Sequence, residues 1–254
     1  MAFRRFGSRG PPRRHGNTEK AFYANPSVSE LALDVAEGVP PRWVFGRTRI
    51  QYRLMRIPLW LKTVWTACVM AWIPLYWRQY GSQNFLYFCD LGNLFIVAAL
   101  WLESSLLFSW QACSLLLFQS LFTVDLASVL LSGRHLIGGT EFMFAADIPL
   151  GIRLLSLFHV VTPLLLLWAI WRLGYDRRGW KYQTLTAWIV VPINYFWRPE
   201  YDVNWARGPF SHEQHAIPGL LYLLGYLIVV PAVVYLPTHR FLLWLTRKDT
   251  AISL

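Results

Sequence analysis

Six stretches of this chain are apolar and nearly free of charge, near residues 59–77, 85–102, 105–131, 149–171, 182–197 and 217–236. Most approach the roughly 20 residues that a helix needs to cross a hydrocarbon core. The pattern predicts an all-α polytopic membrane protein, a bundle of six transmembrane helices. The third stretch is long enough to tilt or bend, and the fifth is short. Glu103, Ser104 and Ser105 leave only a tight turn between the second and third, which makes those two helices antiparallel neighbours. Pro74 and Pro231 read as ordinary kinks. No internal repeat is visible.

The charged positions orient this bundle. With the N-terminus inside, 11 Lys/Arg precede the first span, Arg172, Arg177, Arg178 and Lys181 lie between spans four and five, and Arg240, Arg247 and Lys248 follow the sixth. Only Arg78, Arg134, Arg198 and Arg207 fall in the outer loops. A Lys/Arg excess on one side marks the cytoplasmic face, so the expected topology is N-in and C-in in a plasma (inner) membrane, multi-pass.

Outside the spans, residues 1–26 combine five arginines with Gly and Pro and read as a disordered basic cytoplasmic tail. Residues 27–58 begin with Ser27-Val28-Ser29-Glu30, the pattern of a capping box, and predict a short capped helix followed by a basic membrane-surface segment. Residues 59–236 form the transmembrane domain, and 237–254 a second basic cytoplasmic tail.

Composition agrees: 55% of the residues are hydrophobic and 15% charged, against roughly 25% charged in a soluble domain. The net charge of +10 sits in the tails and inner loops, as membrane orientation requires, so nucleic acid is not an expected partner and membrane lipids are. Cys68, Cys89 and Cys113 lie in apolar segments without metal or disulfide spacing. There is no Gly-x-Ser-x-Gly elbow, phosphate loop or Cys-x-x-Cys, and no cofactor or metal is implied. His212-Glu213-Gln214-His215 lacks zincin spacing, and the outer loop 198–216 reads as a polar lid. The oligomeric state is left open.

The candidate chemistry is the sparse polar set inside the greasy helices: Asp90, Asn93, Asp125, His159, Thr162 and Asn194. Ionisable or strongly polar groups at membrane depth are expensive and mark functional candidates. At about 1.5 Å per residue, Asp90 and Asp125 each lie about 9 Å below an outer helix end, His159 about 15 Å and Asn194 about 5 Å. The inner halves look nearly empty of such groups, so the set predicts one outward-facing pocket centred on Asp90 and His159. Asp90 and Asn93 share a helix face, and Gly92 permits close approach of a neighbour. Asp90 is either a working carboxylate or half of a structural clamp. Pro163 frees the carbonyl of His159, to which Thr162 could reach back, and Pro192 frees that of Trp188 beside Asn194. Asp125 is either a second proton carrier or an interfacial residue. Gln111 and Gln119 read as interhelical glue, Glu103 as a wet turn residue, and Arg153 as a partner for Asp147 or Asp125.

Asp90-Leu91-Gly92-Asn93 and Leu157-Phe158-His159…Pro163 give the chain a distant resemblance to a known group. It resembles the androgen-induced and androgen-dependent membrane hydrolases of fatty-acid esters of hydroxy fatty acids, and the YwaF-like proteins, over two short windows. The resemblance implies a multi-helix bundle with an active-site histidine at His159. The family's threonine is replaced here by Asp90, so an acyl-threonine route does not carry over.

Three functions fit these readings. The first is an intramembrane hydrolase or acyl-transfer enzyme acting on lipid-like substrates, with Asp90 and His159 catalytic and Asn93, Asp125, Asn194 and Thr162 binding or orienting. The second is a proton-coupled permease, which would need polar groups at several depths. The third is a non-catalytic membrane scaffold.

Overall fold

The computed structural model describes residues 57–247, and every regular element among them is helical. The expected tail 1–26, the capped segment as far as residue 56, and residues 248–254 lie outside the described residues.

Helix α1 (Leu59–Tyr80) starts behind Pro58 and stops at Gly81, whose φ of 85° suits glycine and ends the run. A short 3-10 turn (Ser82–Leu86) leads into α2 (Phe88–Leu102). The predicted tight turn follows: Glu103 is left-handed at φ 48°, and the Ser104 hydroxyl accepts the Leu107 amide at 3.3 Å, capping α3 (Ser105–Ser132). Glu103 is not a wet turn residue. Its carboxylate accepts Lys62 Nζ at 2.7 Å and the Ile57 amide at 3.3 Å, tying the start of α1 to the end of α2. Lys62, inside an apolar helix, is thereby neutralised.

The fourth apolar stretch breaks into α4 (Leu150–Leu155) and α5 (Phe158–Leu173). The irregularity lies at Ser156–Leu157, one turn before His159, where His159 N–H reaches only to the Ser156 carbonyl and Val160 N–H to Leu157. Pro163 removes a donor and crowds the carbonyl four residues back, and the chain tightens above that point. Helix α6 is Gly179–Phe196, and α7 is Gly219–Val230. Pro231 is not an ordinary kink: a π turn (Pro231–Tyr235) joins α7 to α8 (Leu236–Arg247), so the last run continues 11 residues beyond its expected end.

Helix α3 is the hub, packed against α2, α5, α6 and α8. Two glycines permit the closest approaches. A Cβ on Gly92 would lie 2.5 Å from Leu115 Cδ1, and one on Gly179 would lie 2.6 to 2.8 Å from the backbone of Ser109 and Trp110. The interior is apolar, with Ile96, Leu100, Phe108, Leu166 and Ile170 essentially inaccessible. Large apolar side chains such as Met70, Leu164 and Ile228 are at least 64% exposed, a surface suited to lipid. Three runs are long and apolar enough to cross a bilayer: α3, the α4–α5 run and the α7–α8 run. Among the described residues the protein is all-helical, with the three long apolar helices of a membrane protein.

Candidate functional site

A cleft of about 250 Å³ opens where α1 ends and α2 begins. Its walls are Gln79 and Tyr80 of α1, Gln83, Asn84 and Tyr87 of the connecting turn, and Tyr201 and Val203 of the loop after α6. The loop is held there by Asn204, whose side chain accepts the Phe88 amide at 3.0 Å and donates to the Leu86 carbonyl at 2.7 Å. The first bond satisfies a donor that the start of α2 would otherwise leave orphaned. Loop 198–216 therefore forms a wall of the cleft.

Asp90 lies behind this lining, 3% exposed, and accepts a hydrogen bond from the Asn84 side-chain amide. Its second contact is weak, from Cys89 Sγ at 3.8 Å. Asn93 is buried one turn further along the same helix face.

His159 has a different setting. Its ring stacks on Phe122 of α3 at 4.6 Å and on Phe158 at 4.0 Å, and Nδ1 lies 2.8 Å from the Ser156 carbonyl. A carbonyl only accepts, so Nδ1 carries the proton and Nε2 is left as the basic nitrogen of the neutral ring. No bond joins His159 to Asp90. The Tyr76 hydroxyl is hydrogen-bonded to Ser156 Oγ, the residue whose carbonyl holds His159.

Asp125 is taken up by the loop that follows its helix and is not brought to the cleft. It is inaccessible to solvent and organises the loop after α3, with Oδ1 accepting the amides of Leu136, Ile137 and Gly138 at 2.8 to 2.9 Å. Its Oδ2 takes the Thr140 hydroxyl at 2.5 Å and meets His135 Nδ1 at 2.9 Å. Arg153 pairs with neither expected acid; its guanidinium donates to the Met143 carbonyl at 3.2 Å.

Thr162 and Asn194 are buried with their side-chain polar atoms unpartnered, so the Thr162 hydroxyl does not reach back to the backbone freed by Pro163. Gln119 is in the same position and bonds no neighbouring helix, contrary to the glue reading. The opposite half of the bundle, where α3 and α6 begin, is not empty either, because Ser109, Gln111, Ser114 and Gln183 are buried there. The expected single layer is instead three settings: the cleft over Asp90, the stacked His159, and the Asp125 loop hub.

Sequence reasoning missed Asn84, Tyr76, Ser156 and Asn204. Asn84 stands six residues before Asp90, which is the one signal that was available. Outside the spans, burial pushes the Asp202 carboxyl above the usual carboxylate range, with the Arg207 amide at 2.7 Å partly opposing it. Asp176, bonded by Arg178, is held below that range. Among the described residues, no group of three or more His, Cys, Asp or Glu could hold a metal ion. Comparison with protein-family models, curated proteins and solved structures finds no match for the chain.

Proposed function

We propose that all six helical runs cross a plasma (inner) membrane with both termini cytoplasmic, and that the protein works through an outward-facing cleft that receives the polar end of a lipid-like substrate. The observation that carries this reading is the cleft itself, polar-walled and backed by buried Asp90, at one end of a bundle with an apolar exterior. Pockets of this kind, few per protein and holding convergent polar groups, are where binding is expected.

On this reading Asp90 is a binding group first. Catalysis through Asp90 and His159, as the distant resemblance implies, has one observation in its favour: Nδ1 of His159 is fixed, which orients Nε2 for proton exchange. A permease reading is favoured by a different observation. Unpartnered buried polar atoms on Gln119, Thr162, Gln183 and Asn194 continue through α3, α5 and α6, and such atoms call for water or a polar passenger.

Purified protein offered a panel of ester lipids, and vesicles containing it offered the same compounds, separate the three. Turnover abolished by His159→Ala with folding intact identifies an enzyme, and uptake without turnover a permease. Binding weakened by Asp90→Asn with neither identifies a receptor-like pocket. Failure of every lipid to bind sinks the reading. Cysteines placed at 82–87 that react only from the cytoplasmic side would reverse the orientation.

A further inference from the structure

The cleft lining is polar but carries no charged side chain. It has three phenols (Tyr80, Tyr87, Tyr201), three amides (Gln79, Gln83, Asn84) and Val203, with no lysine or arginine. Asp90 behind it makes no ion pair among the described residues, although Glu103 has Lys62 and Asp125 has His135 and four hydrogen-bond donors. A buried carboxylate without a cation is costly as an anion, and a positive partner relieves that cost. The amides lean the same way. Asn84 commits its Nδ2 to Asp90, which leaves Oδ1 as an acceptor, and Gln83 donates Nε2 to the Tyr80 carbonyl while its buried Oε1 has no donor. The cleft therefore has acceptors and aromatic rings but no positive charge of its own. One ring already serves a cation: Arg198, outside the lining, sits 6.0 Å from Tyr201.

We infer that the cleft binds an organic ammonium group, held near the tyrosine rings with Asn84 Oδ1 as acceptor and Asp90 as counterion. Ring faces attract a cation within about 6 Å, and the attraction grows when water is excluded. An anionic group would meet the Asp90 carboxyl with no cation in the lining. This deepens the reading of the cleft given above and rests on it. The ammonium belongs either to a lipid headgroup or to a small soluble amine.

The test is calorimetric titration of the purified full chain in a non-ionic detergent with dodecylammonium, dodecanol and ethanolamine. Dodecylammonium is expected to bind about tenfold more tightly than dodecanol, the effect of one partly screened charge. That margin should shrink to about threefold or less in Asp90→Asn. Tyr201→Ala, on an exposed loop, should also reduce it without burdening the fold. Ethanolamine binding with the same Asp90 dependence assigns a soluble amine; binding of dodecylammonium alone assigns a lipid headgroup. Equal binding of dodecanol and dodecylammonium, or a margin unchanged in both variants, overturns the ammonium assignment and leaves the cleft reading standing. Binding of none of the three overturns both.

Discussion

The side-chain carbonyl of Asn204 accepts the backbone N–H of Phe88, a bond that spans 116 residues of chain. One side chain thus caps the start of α2 and fastens the wall of the cleft, so the stability of a helix end and the shape of the site are one quantity.

Asn204 has φ 57°, which asparagine and glycine tolerate best. Asn204→Gly keeps that backbone and removes only the clamp. We expect it to lower stability by about 1 kcal/mol, the usual worth of a cap, and to speed amide exchange at Phe88. Asn204→Ala should lose more because it adds strain. Equal effects of the two on thermal unfolding would show that the backbone angle contributes nothing.

Asp125 should behave as a structural hub. Asp125→Ala strands the amides of residues 136–138, and a loss of roughly 3 kcal/mol is expected from charge-assisted bonds. Ligand binding in the cleft should survive at a temperature where the variant stays folded. Selective loss of binding without loss of stability would return Asp125 to the site.

The two loop carboxylates should give opposite pH responses. Asp202 has its folded value raised by burial, so its contribution is present below about pH 4 and is lost as pH rises through the raised value. Asp176 is held low by Arg178, so its contribution is present above about pH 4 and is lost as pH falls through the depressed value. Amide exchange, corrected for intrinsic rates, should show loop 198–216 tighter at acid pH and the turn near Asp176 looser. Asp202→Asn should flatten the first trend; if it persists, another group is responsible.

The two close-packed glycines should differ in tolerance. Gly92→Ala meets the end of the flexible Leu115 side chain, and an overpacking loss of about 1–2 kcal/mol is expected. Gly179→Ala meets the Ser109 backbone, which cannot step aside, and should cost roughly 3 kcal/mol or prevent folding. Thermal midpoints in detergent rank the two, and the reverse order would place the tightest contact elsewhere.

The features legible in the sequence were local ones. The Glu103–Ser105 turn, the close approach at Gly92 and the disturbance near Pro163 each follow from a few neighbouring residues. Depth along a helix was legible for Asp125 but not for Asp90, which stands in the first turn of α2 because that helix starts only at Phe88, and depth is not environment. Asp90 backs a cleft, whereas Asp125, inside the last two turns of α3, is consumed by a loop 11 to 13 residues ahead. Gly138-Gly139-Thr140 was the available hint of that loop. Asn204 and the Tyr76–Ser156 pair were beyond reach, because their partners lie 80 to 118 residues away.

The π turn at Pro231–Tyr235 acts as a phase shifter. One extra residue in a helix rotates everything after it by about 100°. Before the turn only Leu223 of α7 is buried; within and after it Val234, Tyr235, Thr238 and Leu242 face inward, and His239 Nδ1 meets the Tyr175 hydroxyl at 2.7 Å. Removing a single residue there would leave composition and hydropathy nearly untouched, yet turn that inward stripe toward lipid. The last helix is therefore specified by a count as much as by chemistry.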